Sequence, residues 1–135
     1  DQARTYYEQA LAIAQELRSR APDSADYARD LSISYERLGD LWRTLGNPDQ
    51  ARTYYEKALA IAEELRSRAP DSADYARDLV ISYAKLAFLH EQLGDTKQAR
   101  SLWEKCHRQL QAMKQKGKFL DQQLSELLRQ LDNRG

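Results

Sequence analysis

Cysteine occurs once in this 135-residue sequence, methionine once, phenylalanine twice and proline three times, and 21 basic residues cancel 21 acidic ones. A lone thiol, Cys106, cannot close an internal disulfide, and a chain otherwise free of cysteine suits a reducing, cytoplasmic compartment. Cancelled charge removes the electrostatic footprint that a phosphate backbone demands, so nucleic acid is not expected as a partner. No apolar run approaches the ~20 residues of a membrane span, and no signal-peptide pattern opens the chain. The scarcity of proline and glycine leaves long stretches without a breaker. These are filled with Ala, Leu, Glu, Gln and Arg, most of which lose little rotamer freedom in a helix. An all-α chain is therefore expected, as one domain over residues 1–135. It opens DQARTYY with no initiator methionine, which reads as a fragment of something larger.

Catalytic chemistry is equally scarce. There is no glycine-rich phosphate loop. His107 follows Cys106 directly, and helix neighbours point about 100° apart, so they do not form a nucleophile–base pair. Two histidines 17 residues apart with one thiol lack metal-ligand spacing. Cys106, His90 and the paired tyrosines read as packing residues. No catalytic residue, cofactor or metal is expected, and the chain reads as a non-enzyme.

What the sequence does contain is a repeat. Residues 6–23, YYEQALAIAQELRSRAPD, return as residues 54–71, YYEKALAIAEELRSRAPD. The alignment of 1–40 with 49–88, at an offset of 48, keeps 33 of 40 positions identical. A weaker third copy follows, Lys97-Gln-Ala-Arg-Ser-Leu-Trp-Glu-Lys-Cys106. Self-similarity at a fixed period of this size signals a stacked array in which each unit buries its apolar face on the next.

Within one period the apolar residues recur at helical spacing. Tyr27, Leu31, Tyr35, Leu38 and Trp42 share one stripe; Ala51, Tyr55, Ala58, Ala62 and Leu65 share another. Gly46-Asn47-Pro48 separates the stripes, with Asn47 as N-cap and Pro48 at the first helical position. At the other junction Asp71 or Ser72 can accept free amide hydrogens, and Gly94-Asp95 and Gly117 mark later breaks. The spacing predicts helices over 1–20, 24–45, 48–68, 72–93, 96–116 and 119–132, antiparallel where the links are short. These group as a half repeat (1–20), two repeats (24–68 and 72–116) and a C-terminal capping helix (119–132), about two and a half units plus the cap.

Tyr35-x2-Leu38-Gly39-x2-Trp42, followed by Ala51-x3-Tyr55 and Ala58, resembles the tetratricopeptide pattern W-x2-L-G-x2-Y…A-x3-F. The next unit matches with Tyr83, Leu86, Ala87, His90, Ala99, Trp103 and Cys106, and the first helix supplies Ala3, Tyr7 and Ala10. The resemblance covers nearly the whole chain, with two departures. The unit is 48 residues where the family uses about 34, and the family's closing proline falls at Glu63. Such stretched, nearly identical repeats are similar to interaction or sensor arrays in large bacterial proteins. The resemblance implies a right-handed α-solenoid of antiparallel hairpins whose first helices line a concave groove for a protein or peptide partner.

On that basis the candidate partner-binding residues are Arg29, Ile33, Arg37 and Asp40 on one first helix and Arg77, Ile81, Lys85 and Phe88 on the next. Ile33 and Ile81 are apolar where a solvated face is polar, and Phe88 replaces Asp40. The family's clamp for carboxyl-terminal peptides uses Lys and Asn where this chain has Glu36 and Asp40, so that specificity is not expected. The alternative is a purely structural segment of a longer bacterial or idealised array with no ligand of its own. Near-identical surfaces such as Arg18-Ser19-Arg20 and Arg66-Ser67-Arg68 favour it. Helix 1–20 is a second half without a first, so Tyr6, Tyr7, Ile13 and Leu17 should be partly uncovered and invite self-association.

Overall fold

The computed structural model describes residues 2–117 and 120–134. Six helices make up the described chain: α1 (Gln2–Arg20), α2 (Ala25–Thr44), α3 (Pro48–Arg68), α4 (Ala73–Gln92), α5 (Thr96–Gln115) and α6 (Gln122–Arg134). No strand occurs among the described residues. Asp1 and Phe119, where two of the expected helices begin, lie outside them, as do Lys118 and Gly135.

Local chemistry accounts for the boundaries. Ser24 and Ser72 cap α2 and α4, each hydroxyl accepting the N–H three residues on, from Tyr27 and Tyr75, both at 3.2 Å. Of the two candidates at the second junction, Ser72 is therefore the cap. Asn47 accepts from the Gln50 N–H at 3.2 Å ahead of Pro48, and Asp95 does the same for α5 through Gln98 at 3.2 Å. After α2 and α4 the chain turns through Gly46 (φ 80°) and Gly94 (φ 79°), where a side chain would be strained. Both ends form the same double-bonded turn. Asn47 N–H reaches the Trp42 carbonyl at 2.9 Å and Gly46 N–H reaches Arg43, as Asp95 and Gly94 reach His90 and Glu91. The sixth helix starts later than its expected position of 119. The Asp121 carboxylate accepts from the Leu124 N–H at 2.9 Å, which makes Asp121 the cap and Gln122 the first helical residue.

The chain divides into two compact units, residues 1–68 and 69–135. In the first, α2 lies between α1 and α3. Contacts between α1 and α2 pair Arg4 with Trp42 and Gln15 with Tyr35, whereas those between α2 and α3 pair Ser32 with Ala58 and Asp40 with Tyr55. As one number rises the other falls, so both pairs are antiparallel. Leu11, Ala14, Leu31 and Leu38 form the core, with Tyr7, Tyr35, Leu41, Tyr54 and Ile61 packed around them. Each large apolar side chain so buried contributes about 1.5–3 kcal/mol. In the second unit α4 packs on α5 and α5 on α6. Val80, Leu86, Leu89, Cys106 and Leu110 are buried there, and Leu124, Leu128 and Leu131 form the covered stripe of α6.

The seam of each hairpin carries one buried side-chain-to-carbonyl hydrogen bond, and its direction differs between units. Ser32 Oγ donates to the Ala58 carbonyl at 3.1 Å. Forty-eight residues on, Ser32 has become Val80 and Ala58 has become Cys106, and the Cys106 thiol donates to the Val80 carbonyl at 3.7 Å. The polar atom has crossed from the first helix to the second, while the helix whose carbonyl accepts presents a purely apolar side chain.

The α2–α3 seam is tight at Gly39. A Cβ there would lie 2.5 Å from the Tyr55 ring, so the glycine is required by space. Gly39→Ala gains about 1 kcal/mol of helix propensity but overpacks the seam at a cost of about 1–3 kcal/mol. Chemical denaturation is therefore expected to show Gly39→Ala less stable than the parent. Adding Tyr55→Leu should reduce the penalty of the alanine. An equal penalty of Gly39→Ala in the presence and absence of the Tyr55 ring would refute this account.

Candidate interaction surface

The candidate stripe of α2 runs Arg29, Ile33, Arg37, Asp40. Arg37 is exposed and the other three are half-buried. On α4 the stripe is Arg77, Ile81 and Lys85, all half-buried, and Phe88, which is 47% exposed. Each set lies along one face of its own helix, and each is described within its own unit.

Two of these residues also work inside the fold, which the sequence reading did not anticipate. The Asp40 carboxylate accepts from the Tyr55 hydroxyl at 2.5 Å. Tyr55 is buried, and that burial, followed by the Asp40 carboxylate, pushes its ionisation well above the usual phenol value. Arg77 Nε donates to Asp121 Oδ2 at 2.9 Å, tying α4 to the start of α6. The Leu124 N–H first, and the Arg77 guanidinium after it, hold the Asp121 carboxyl below its ordinary value.

The Asp40–Tyr55 bond explains why Phe88 stands out. In the second unit Gly39, Asp40 and Tyr55 are replaced together by Ala87, Phe88 and Trp103. With the carboxylate gone, the Trp103 indole N–H is buried without an acceptor, a cost of about 1–3 kcal/mol. Phe88 then stands on the outer side of α4. Its exposure pairs with Ile81 about two turns earlier, and Lys85 lies between them. The stripe of α4 is thus more apolar than that of α2.

The remaining chemistry-bearing groups are structural in their surroundings. Cys106 is fully buried, and burial pushes its thiol up to about 12. His90 is buried where Trp42 stands one period earlier, with Nδ1 3.6 Å from Asp95. His107 meets Asp132 at 2.6 Å and joins α5 to α6. Among the described residues no group of three or more His, Cys, Asp or Glu side chains could hold a metal ion.

An open cavity of about 590 Å³ lies in the second unit between α5 and α6, with Arg100, Trp103, Glu104, Leu131 and Arg134 among its walls. The α1–α2 pair shows what normally fills such a place. There Trp42 sits under the Arg4 guanidinium, 4.7 Å from ring centroid to Cζ. Arg100 is the counterpart of Arg4, but α6 is 13 residues long where α2 is 20. The Arg134 guanidinium lies 5.6 Å from the Trp103 ring instead.

The chain is thus an all-α protein of repeated, packed helices in which no described helix is long and apolar enough to cross a membrane. A family model described as a protein of unknown function (DUF2753) matches residues 1–54 and again 46–133, and the chain belongs to that family. No curated protein and no solved structure matches it.

Two outcomes follow from these environments. Folded Tyr55 keeps its proton above pH 10.0, the ordinary phenol value, where the unfolded chain loses it. That contribution to stability is complete below pH 10 and is lost as pH rises, at ~1.4 kcal/mol per pH unit for one proton. Denaturation midpoints measured from pH 8 to pH 11 should fall less steeply for Tyr55→Phe than for the parent. Cys106 should react with a thiol reagent on the order of a thousandfold more slowly in the native protein than in denaturant. Rapid native labelling would place the thiol at the surface.

Proposed function

We propose that this chain is a non-enzymatic protein-interaction module that binds a peptide or a partner helix along the first helix of a hairpin, with α4 as the contact face in the second unit. The observation that carries the reading is the α4 stripe, in which half-buried Ile81 and exposed Phe88 flank Lys85 on one helix face. An apolar strip edged by charge suits an amphipathic helix or extended peptide, read through anchors three and four residues apart. The tetratricopeptide resemblance implies that such first-helix faces receive the partner. The mechanism is rigid display. Helices capped at both ends hold their side chains in place, so less ordering cost opposes binding. A chain acting in this way belongs where helical repeats do, as a scaffold.

The second reading is a structural segment without a ligand. It draws support from Asp40 and Arg77, candidate contact residues that are engaged within the fold. Selection of a displayed random-peptide library on the immobilised chain separates the two. A binding module enriches related sequences, and Ile81→Asp with Phe88→Asp weakens the selected peptides about tenfold or more, the worth of burying one apolar side chain. If no sequence is enriched, or if the selected peptides bind the variants unchanged, the structural reading stands.

A further inference from the structure

The cap of α6 differs in kind from the caps of α2 and α4. Ser24 and Ser72 start those helices with one hydroxyl oxygen, and the Tyr27 and Tyr75 N–H groups use it. Asp121 starts α6 with two oxygens. Oδ1 takes the Leu124 N–H at 2.9 Å, which leaves Oδ2 to accept from Arg77 Nε, also at 2.9 Å. At the offset of 48, Ala73 stands where Asp121 does. The Asp121–Arg77 pair is therefore no part of the packing that the repeat copies from unit to unit.

Arg77 is also the first residue of the stripe on which the proposed function rests. Arg77, Ile81, Lys85 and Phe88 follow steps of four, four and three, so cations and apolar side chains alternate along one face of α4. Asp74 and Asp78 border the N-terminal end of that face, and from Ile81 to Phe88 the one ionic residue is Lys85. Asp121 shows what Arg77 accepts there, a carboxylate brought by another segment of chain. The side chains of Arg77 and Asp121 are 40% and 34% exposed, and an ion pair so open to water adds little to stability. Exchanging one carboxylate for another on Arg77 therefore costs the fold little.

We propose that Asp121 is an internal competitor for the α4 face, and that the partner is an acidic amphipathic peptide whose carboxylate displaces Asp121 from Arg77 while its apolar residues lie on Ile81 and Phe88. Asp121 keeps the Leu124 N–H through Oδ1, so α6 stays capped and only the ion pair is exchanged. Lys85, about two turns beyond Arg77, favours the same sign of charge in the partner. A neutral or basic peptide has nothing to offer Arg77 in place of Asp121, so the competition selects for acidity. This rests on the interaction reading above and adds to it the partner's charge and an intramolecular control of its affinity.

Asp121→Asn separates the two roles, because asparagine caps a helix about as well as aspartate but brings no charge to Arg77. Asp121→Ser, which restores the kind of cap that α2 and α4 use, is a second variant with the same purpose. The test selects a displayed random-peptide library on the intact parent chain and measures synthetic copies of the enriched peptides by fluorescence anisotropy, with circular dichroism to check that each variant is folded. The enriched peptides are expected to carry Asp or Glu and to bind Asp121→Asn and Asp121→Ser about two- to fivefold more tightly than the parent, the worth of one exposed ion pair. The gain should vanish when the acidic residue of the peptide is changed to Gln, and when Arg77→Gln is added to Asp121→Asn. Glu126→Gln removes a charge from α6 at its pair with Arg129 and should leave the affinity unchanged. No enrichment would remove the interaction reading and this inference with it. Enriched peptides without acidic residues, equal binding to the parent and both Asp121 variants, or an equal gain from Glu126→Gln would overturn this inference alone, leaving α4 a binding face without an internal competitor.

Discussion

The hairpin seam is the constraint on which the rest of the molecule depends. Two helices of about twenty residues can lie against one another only if small residues meet where the backbones come closest. Gly39 meets the Tyr55 ring in this way, and Ala58, Ala62, Ala87 and Cys106 are the small buried residues of the same helix pairs. The close approach has two effects. It puts a Ser or Cys side chain within reach of a carbonyl on the facing helix, and it sets the Tyr55 ring against backbone, where its hydroxyl meets Asp40. Packing, polar satisfaction and register are therefore determined at one place per hairpin. The identical spacing of that place in both units is the physical content of the 48-residue period.

Most of the helix boundaries were legible because their causes are local. Ser24, Asn47, Pro48 and Gly46 act within a few residues of themselves, so helix ends follow from cap and turn chemistry alone. The stripes of α2 and α3 follow from spacing. The sixth helix starts three residues later than 119, the position expected after the Gly117 break, because the Asp121 carboxylate takes the Leu124 N–H and caps the helix there. The candidate contact residues were harder. A helical stripe says which way Asp40 and Arg77 face but not that Tyr55 or Asp121, far along the chain, lies within bonding distance. Phe88 is the instructive position. Its replacement of Asp40 was visible as an apolar residue in a polar place, but the reason, a simultaneous change of Tyr55 to Trp103, required knowing that the two positions touch.

The two units also illustrate how a nearly identical pair of sequences can present different surfaces. Identity is highest in α1 and α3 and in the starts of α2 and α4. The differences cluster in the later half of the first helix and on the second helix of the hairpin. Those positions decide how polar the outer stripe is and whether the buried aromatic of the seam has an acceptor. A chain built by duplication thus keeps its assembly rules in the shared segment and varies its display elsewhere. α1 shows the same economy from the other side, since it repeats the residues that α3 presents to α2.

The crossed polar atom of the two seams restricts how these copies can exchange genetic material. Residues 6–23 and 54–71 differ at only two positions, a long stretch over which recombination could pair one copy with the other. A crossover that carries a whole hairpin keeps Ser with Ala or Val with Cys and yields a sound unit. One that falls between the two helices of a hairpin creates either a seam with two donors crowded together or a seam of Val and Ala with no donor at all. Units of this kind should therefore be inherited as hairpins, with breakpoints in the links between them and seldom inside.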